Sequence, residues 1–342
     1  MQSVLVTGAS GFVGFHLVRQ LQRENCEVRC LVRETSSREF LKPFNLRYVT
    51  GSIFDRTSLR RAAEKCDTVF HLAGRVRAKN YQELEAANRF GTENTAMSAA
   101  AENVQTFVHV SSLAAAGCSK PKSPKRETDE PKPISGYGQS KLAGENALRT
   151  FASDMHCTIV RPGIVFGEAD KMNLELFKTV AKLGICPNPG FSRKMYSWIH
   201  ASDLAGLLIS AAQNGERLPP FIQAGDTPFP TPAAGQGIYF AACDEGRTLD
   251  DVALQVRRAL GRKRIISLPC PPAAVWMIAS FYEVKKRTTG KDVPFDWAKA
   301  YESLHHWTCS PEKAETQLGF SPRHFDERIQ QTIDWYRDKN WL

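Results

Sequence analysis

Two hydrophobic periods alternate through the first half of the chain, and this alternation constrains the fold more than any other feature. Short β-rich runs are separated by stretches of helical periodicity, notably FVGFHLVRQLQREN and YQELEAANRFGTENTAMSAAAEN. Repeated strand–helix–strand units predict a parallel sheet that is covered by helices on both faces. Right-handed crossovers would place the carboxyl ends of the strands along one edge, where such sheets bind ligands. The strands are predicted at residues 3–7, 27–32, 46–50, 68–73, 106–112 and 157–162.

The alternation loosens after Gly167, and residues 186–237 are rich in proline and glycine. WIHASDLAGLLISAAQ still predicts a strand end and a helix, IYFAA predicts a further strand, and the last third is mostly helical. We therefore expect an α/β protein with a main domain at residues 1–168 and a smaller, mostly helical substrate lobe at residues 169–342. The chain is expected to return to the main domain at about 196–214 and 236–243.

A glycine-rich turn follows the first strand. In VTGASGFVG, Gly8, Gly11 and Gly14 are three residues apart and open the first helix. A diphosphate can sit on the N-terminus of such a helix, because free N–H groups and the helix dipole favour anions there and side chains would block the approach. A tight strand–helix turn would use the same glycines, but their position after an N-terminal strand favours dinucleotide binding. The sequence thus predicts a Rossmann-type, doubly wound parallel sheet.

The end of the second strand bears on which dinucleotide is bound. An acidic residue there would accept the ribose 2′-hydroxyl of NAD, whereas an arginine would pair with the 2′-phosphate of NADP. The sequence CLVRETSS places Arg33 at this point, with Ser36 and Ser37 nearby. We predict NADP as the cofactor. Glu34, one position late for the NAD acid, keeps NAD open.

Tyr137 and Lys141 are four residues apart in GYGQSKLAGE and therefore share one helix face. A free phenol has a pKa near 10, and an ammonium about 4 Å away could lower that pKa to about 7. An ordinary amphipathic helix start has the same spacing. Upstream, FVHVSSLAAAG ends a strand with Ser111 and Ser112 at the ligand edge of the sheet. A hydroxyl there could hold a substrate oxygen while the tyrosine exchanges its proton.

Together these motifs resemble those of the extended short-chain dehydrogenases/reductases, in the NAD-dependent epimerase/dehydratase superfamily. The resemblance covers nearly the whole chain and includes TGASGFVG, HLAG, NRFGTEN, VSSLAAAG, YGQSK, RPGIVFG and WIHASDLA. It implies that Tyr137 is the catalytic acid/base, that Lys141 lowers its pKa and binds ribose, and that Ser112 polarises the substrate. Ser112 is preferred to Ser111 because it lies at the family's usual interval before Tyr137. Asn88 would extend the proton relay.

The resemblance also implies a set of cofactor contacts along the ligand edge. These are Gly8, Gly11, Phe12, Val13, Gly14, Arg33, Ser36, Ser52, Ile53, Leu72, Ala73, Gly74, Tyr137, Lys141, Pro162, Gly163 and Val165. Ser52 stands where the family has an adenine-binding aspartate, so adenine recognition is expected to fall to the backbone of Ile53.

Departures from the family pattern narrow the activity that the resemblance implies. Leu113 and Ala114 stand where sugar-nucleotide 4,6-dehydratases carry the Asp–Glu pair that eliminates water, and the sugar-nucleotide signature before WIH is absent. The chain looks more like the dihydroflavonol-reductase and 3β-hydroxysteroid-dehydrogenase branch. This branch implies an NADP-dependent oxidoreductase that interconverts a carbonyl and a secondary alcohol on a hydrophobic or multi-ring substrate. Two alternatives are a sugar-nucleotide epimerase or reductase with retained cofactor and a non-enzymatic NADP-sensing or RNA-binding relative.

Composition bears on partners and location. The 342 residues carry a formal net charge of +9, but the basic residues are scattered, which is typical of a solvated surface and not of a nucleic-acid site. The nine cysteines form no CxxC pair, which favours a reducing compartment and predicts no metal site. The chain opens directly into a strand, which predicts no signal peptide, and no apolar run approaches the ~20 residues that span a bilayer. We expect a cytoplasmic homodimer that acts on a small molecule.

One segment leaves peripheral membrane contact open. AAVWMIASFY, residues 273–282, is apolar at helical spacing and is followed by Lys285, Lys286, Arg287 and Lys291. Packing onto the core of the second lobe is the simpler interpretation. A short apolar face flanked by cations also suits a lipid interface, or part of a pocket for an apolar substrate.

Overall fold

The computed structural model describes residues 1–220, 234–289, 293 and 295–342. Its strands are β1 Ser3–Thr7, β2 Glu27–Val32, β3 Arg47–Thr50, β4 Thr68–His71, β5 Thr106–Val110, β6 His156–Pro162, β7 Ile164–Phe166, β8 Ile185–Pro189, β9 Met195–Tyr196, β10 Trp198–His200, β11 Ile238–Ala241, β12 Arg247–Thr248 and β13 Ile266–Cys270. Its helices are α1 Phe12–Arg23, α2 Arg56–Ala63, α3 Tyr81–Glu85, α4 Gly91–Ala101, α5 Leu113–Ala116, α6 Gly136–Arg149, α7 Leu174–Leu183, α8 Ala201–Asn214, α9 Leu249–Ala259, α10 Pro272–Thr289, α11 Trp297–Ser303, α12 Glu312–Leu318 and α13 Phe325–Asp338. A short 3₁₀ turn covers Glu39–Leu41, and a π-helical segment, Ala86–Phe90, joins α3 to α4.

Seven parallel strands form the main sheet, in the order β11-β6-β5-β4-β1-β2-β3. The predicted Rossmann-type sheet is therefore confirmed. Two strands end earlier than the sequence predicts: β4 stops at His71, and β5 stops at Val110. As a result the segments 72–74 and 111–112 lie in loops at the carboxyl edge, where their backbone and hydroxyl groups can face a ligand.

Strand side chains alternate between two buried layers, as the pleat requires. Val4 and Val6 join the core under α1 and α8, whereas Leu5 joins the core under α2 and α4. Burial on both faces explains why these strands read as continuous apolar runs and not as an alternating pattern. The sheet thus positions its carboxyl edge as a fixed ligand-binding surface.

The second half of the chain contributes to this sheet before it forms the other lobe. Strand β11 pairs with β6, and α8 packs against α1. These placements occur where the sequence predicts a return to the main domain, although the domain boundaries themselves remain a prediction. The other lobe packs α7, α9 and α13 around Phe177, Val256 and Ile333. Helices α10 and α11 meet in a small separate cluster around Val275, Ala279 and Ala300.

Two kinds of feature are absent from the described ranges. None of the helices there combines the length and the apolar character that crossing a membrane requires. No group of three or more histidine, cysteine or acidic side chains in the same ranges is arranged to hold a metal ion.

Candidate active site

The turn between β1 and α1 is built for close approach of a ligand. Gly8 has φ +77°, and a Cβ there would lie 2.7 Å from the amide nitrogen of Ala73. A Cβ on Gly14 would lie 2.2 Å from the carbonyl oxygen of Gly8. Gly11 caps α1 without a side-chain hydrogen bond, so the first-turn N–H groups are not satisfied by a side chain. Such a helix start attracts phosphate oxygens.

A cavity of about 470 Å³ opens beside this turn. Its polar and glycine-rich wall fits an extended dinucleotide, since backbone amides and small residues leave room for a diphosphate. Nine of the predicted cofactor contacts line this cavity: Gly8, Gly11, Arg33, Ser36, Ser52, Ile53, Leu72, Ala73 and Gly74. Sequence reasoning missed other lining residues, among them Ser10, Arg75 and Arg77.

Arginines give this cavity its positive charge. The exposed guanidinium of Arg33 has no carboxylate within 4 Å among the described residues, and the same holds for Arg77. Arg75, by contrast, forms an ion pair with Glu83 at 2.8 Å. The basic run RVRAKN directly after the HLAG motif was the signal that could have revealed Arg77. Two unpaired arginines are suited to binding an anionic group at this end of the cavity.

Five predicted cofactor contacts line neither cavity of this site: Lys141, which is described below, and Phe12, Val13, Gly14 and Val165. The Phe12 ring packs edge-on against His16, and Val13 packs against the core of the main sheet. Gly14 supports the turn itself, as described above. Val165 lies on β7, packs against the same core and accepts a hydrogen bond from Asn173 at its carbonyl oxygen. Cofactor contact by these residues remains a prediction.

A second cavity, of about 290 Å³, lies at the same sheet edge. It contains Ser112 and Tyr137 together with the predicted contacts Pro162 and Gly163. The rest of its described wall is mainly apolar and consists of Leu113, Ala114, Ile164, Tyr196, Phe295, Lys299, Glu302, Ser303 and Trp307. The structure therefore places the hydroxyl groups of Ser112 and Tyr137 in the same mainly apolar cavity.

The two adjacent serines have different partners. Ser112 caps α5 by accepting a hydrogen bond from the Ala114 amide at 3.1 Å, and it lines the same cavity as Tyr137. Ser111 instead donates its hydroxyl to the buried carboxylate of Glu145. Only Ser112 borders the apolar cavity. The geometry thus agrees with the choice of Ser112 over Ser111.

The expected lowering of the Tyr137 pKa is wrong for this structure. Burial raises the pKa of Tyr137 to about 12, although the nearby Ser112 hydroxyl acts in the opposite direction. Glu302 raises it further. Because the phenol keeps its proton at neutral pH, it is prepared to act as an acid.

Lys141 does not offset this effect because its ammonium is bound elsewhere. Its Nζ donates to the carbonyl oxygen of Val110 at 2.7 Å. Burial lowers the pKa of Lys141 to about 8, against the opposing influence of Glu145. A Cβ on Gly74 would lie 4.0 Å from this Nζ. Because Gly74 lines the dinucleotide cavity, the Lys141 ammonium lies close to that cavity, and Tyr137 lies one turn away on α6.

Asn88 has a positioning role in this structure. It lies in the π-helical segment, a local widening that often accompanies functional sites. Its Oδ1 accepts from the Arg75 amide, and its Nδ2 donates to the Arg75 carbonyl and to Ser140, each at 2.8 Å. The carboxamide thus ties the 74–76 loop to α6. Its place in a proton relay remains a prediction.

A buried ion pair under the site was missed by sequence reasoning. Arg161, in the RPG motif, donates from Nε and Nη2 to Glu145 at 2.9 and 2.6 Å, and both side chains are about 1% exposed. Burial favours a raised pKa for Glu145, but the Arg161 charge and the bonds from Arg161 and Ser111 outweigh it and lower the pKa. Glu145 lies four residues after Lys141, and this helical spacing was the sequence signal that could have indicated that Glu145 belongs to the site.

Polar side chains of α11 also line the mainly apolar cavity. Lys299 and Glu302 on α11 form an ion pair at 2.6 Å, and the Lys299 Nζ lies 5.8 Å from the centre of the Tyr137 ring. Ser303 lines the wall next to them. A ligand in this cavity would therefore contact mainly apolar side chains, with the Lys299–Glu302 ion pair and the Ser303 hydroxyl close to Tyr137.

The chain matches known proteins along most of its length. Residues 4–223 match the model of the NAD dependent epimerase/dehydratase family. The chain belongs to this family. It is an extended short-chain dehydrogenase/reductase, and members of this type are NAD(P)-dependent oxidoreductases or epimerases.

Individual relatives within the epimerase/dehydratase family cover nearly the whole chain. A ceramide reductase from Caulobacter vibrioides is 29% identical over 99% of this chain and 96% of its own length. A putative dihydroflavonol 4-reductase from Synechocystis is 24% identical over 98% of this chain and 95% of its own. The solved structure of gox2253 superposes with a TM-score of 0.79 at 23% identity and covers 100% of both chains. This last likeness concerns the fold alone.

Proposed function

We propose that this protein is an NADP-dependent reductase of a ketone on a long-chain, ceramide-like lipid. The observation that carries this proposal is the apolar cavity that contains Ser112 and Tyr137. A nicotinamide cofactor, when bound, would supply the hydride. Ser112 would hold the ketone oxygen, and the protonated Tyr137 would donate its proton to that oxygen as the alcohol forms.

The character of the cavity supports a lipid substrate. Its wall is mainly apolar, and the Lys299–Glu302 pair supplies one polar spot near Tyr137. An amphiphile with its ketone close to an amide or hydroxyl head group would place the reacting carbon next to the tyrosine and its chain along the apolar wall. The ceramide reductase relative, which matches over nearly its whole length, supports the same class. A nucleoside diphosphate sugar would find few polar partners here.

The proposed proton path uses the two unusual pKa values at the site. Tyr137 stays protonated at neutral pH, so it is ready to donate. Burial lowers the pKa of Lys141 to about 8, so its ammonium is a stronger acid than the phenol and is suited to returning a proton to the tyrosine. The protonated phenol is the form that the proposed reduction requires.

The test is an assay of NADPH consumption with three substrates: the 3-keto form of a ceramide in detergent, a steroid ketone and UDP-glucose. We expect the ceramide ketone to be reduced with one NADPH consumed for each alcohol formed. Conversion of UDP-glucose to an epimer without net NADPH consumption would establish the sugar-nucleotide alternative instead. Reduction of the steroid alone would overturn the lipid class while retaining the reductase.

We also propose that the protein is cytoplasmic and forms a homodimer. Light scattering after size-exclusion chromatography measures the oligomeric state, and a monomeric mass at micromolar concentration would contradict the homodimer.

A further inference from the structure

Helix α10 exposes apolar side chains on the face opposite to the one that it packs. Val275 and Ala279 are 2% and 0% exposed and contact α11. Met277, Phe281 and Val284 follow at helical spacing on the other side and are 72%, 68% and 61% exposed. The solvent face of a helix in a globular protein ordinarily carries polar residues. This apolar outer face therefore indicates a surface that something else covers.

Further exposed apolar side chains lie on the elements next to α10. Leu268 on β13 is 53% exposed. The Gly190 amide donates to the Cys270 carbonyl at 2.7 Å, which brings Phe191, 81% exposed, to the end of β13. On the other side, Trp297 of α11 donates from its indole to Ser280 of α10 at 3.1 Å. We call this surface the apolar platform and define it by Phe191, Leu268, Met277, Phe281, Val284 and Trp297.

Cations without a carboxylate partner lie on α10 and before β13. Arg262, Lys263 and Arg264 come directly before β13, are exposed, and have no carboxylate within 4 Å in the described part of the chain. Lys285 follows Val284 and is also exposed without such a partner there. Nearby carboxylates are already paired, since Glu283 binds Arg287 and Asp296 binds Lys286. The rim is therefore positive and complements an anionic surface; Lys291, predicted as part of it, lies outside the described residues.

The platform is on the far side of the element that lines the substrate cavity. Helix α11 presents Lys299 and Glu302 to that cavity, while Trp297 on the same helix is 44% exposed. Tryptophan, apolar side chains and nearby cations are the combination that suits the water–lipid boundary. One thin helical layer thus separates the site from the platform.

We propose that the apolar platform rests on an anionic membrane surface, from which the lipid substrate reaches the cavity behind α11. The route for the substrate rests on the proposed function, whereas membrane binding itself does not. A helix lying in the interface, with its apolar face among the acyl chains, would cover the side chains that the fold leaves exposed.

Flotation of the full-length protein with two kinds of vesicle tests the proposal. One kind contains phosphatidylglycerol and phosphatidylcholine, and the other contains phosphatidylcholine alone. The variant Phe281→Glu places a carboxylate on the platform. Met172→Glu is the matched control, since Met172 is 55% exposed before α7, outside the platform, and the charge change is the same. Met277→Glu is a second platform variant, and circular dichroism checks the fold of each.

We expect the wild type and Met172→Glu to float with the anionic vesicles and Phe281→Glu to bind about tenfold more weakly, because one buried aromatic side chain is lost from the interface. Equal flotation of both platform variants and the control would overturn the proposal. A wild-type oligomer that Phe281→Glu dissociates, with no vesicle binding by either, would assign the platform to a second copy of the chain. Vesicle binding without reduction of any lipid ketone would reject the proposed function and leave the platform standing.

Discussion

The surroundings of the Tyr137 hydroxyl determine its protonation state and therefore its chemical role. Its ring lines a mainly apolar cavity, and the Lys141 Nζ donates to the Val110 carbonyl. The pKa of Tyr137 is therefore raised to about 12 and not lowered. A phenol in this state carries its proton at neutral pH, and the protonated form is the one that the proposed reduction of a ketone requires.

Replacing Tyr137 with phenylalanine should abolish turnover. The ring would pack as before, but no proton donor would remain, so we expect kcat to fall at least ~10²-fold while NADPH affinity stays within a few-fold. Steady-state kinetics with the ceramide ketone and fluorescence titration with NADPH measure the two quantities. Tyr48→Phe, on β3 with its ring under Arg38, serves as the control. Substantial residual turnover in Tyr137→Phe would refute the role.

Arg33 should set the preference between the two nicotinamide cofactors. If its free guanidinium pairs with the 2′-phosphate, the protein binds NADPH more tightly than NADH, and added salt erodes the difference. Arg33→Ala should bring the two affinities close together. Arg47→Ala, which removes an exposed arginine paired with Glu27 on the next strand, is the matched control. Equal affinities in the wild type would reject the NADP proposal.

At the scale of one element, helix α6 carries three functional groups on a single face. Tyr137, Lys141 and Glu145 are four residues apart in turn and lie beside one another. The first borders the cavity, the second binds the end of β5, and the third forms the buried pair with Arg161 of β6. The helix is thereby held against two strands of the sheet, and Tyr137 is placed by these anchors.

Replacing Glu145 with glutamine should destabilise the fold strongly. The change keeps the shape but leaves the Arg161 charge buried without a counter-ion, for which we expect a loss of ~3–5 kcal/mol in the free energy of unfolding. Urea denaturation measures it. Glu175→Gln, which removes an exposed partner of Lys178, is the control and should change stability little. If Glu145→Gln unfolds at the wild-type urea concentration, the pair does not anchor α6.

At the scale of the whole molecule, burial keeps several histidines neutral. His71 and His109 stack at 5.4 Å inside the sheet, and burial lowers the pKa of His71 to about 3 and that of His109 well below its usual value. Burial also lowers the pKa of His16 to about 3, although Glu168 opposes it. Folding therefore excludes protons that these imidazoles bind freely when the chain is unfolded.

Because the folded protein does not bind protons at these histidines, we predict that it loses stability in acid. Below about pH 6.5 the unfolded chain takes up protons that the folded protein does not, so the free energy of unfolding falls as the pH falls from about 6.5 towards 3, by up to ~1.4 kcal/mol per pH unit for each such histidine. Urea denaturation at pH 7.5, 6.5 and 5.5 measures the slope. His109→Leu should reduce it, since neither ring nitrogen of His109 has a hydrogen-bond partner among the described residues. His324→Leu, at an exposed site, is the control; an unchanged slope in His109→Leu would contradict the prediction.

The features that depend on neighbours along the chain could be predicted from the sequence. The period of the apolar residues indicated the strands of the main sheet, and the glycines after β1 indicated the phosphate turn, because backbone geometry follows local residue type. The spacing of Tyr137 and Lys141 placed them on one face of α6, and the ends of β4 and β5 placed Gly74 and Ser112 at the ligand edge. These conclusions needed only helix and strand geometry.

The properties that depend on burial and on distant partners were decided by the tertiary structure alone. The pKa of Tyr137 rose because the cavity desolvates the phenol, while the carbonyl of Val110 holds the ammonium of Lys141. Glu145 gained its counter-ion from another element, and Lys299 reached the cavity from the far end of the chain. The same packing buried Val275 and left Phe281 exposed, although both belong to one apolar segment. A residue's charge state and exposure are set by the atoms around it, and those atoms come from segments that lie far apart in the sequence.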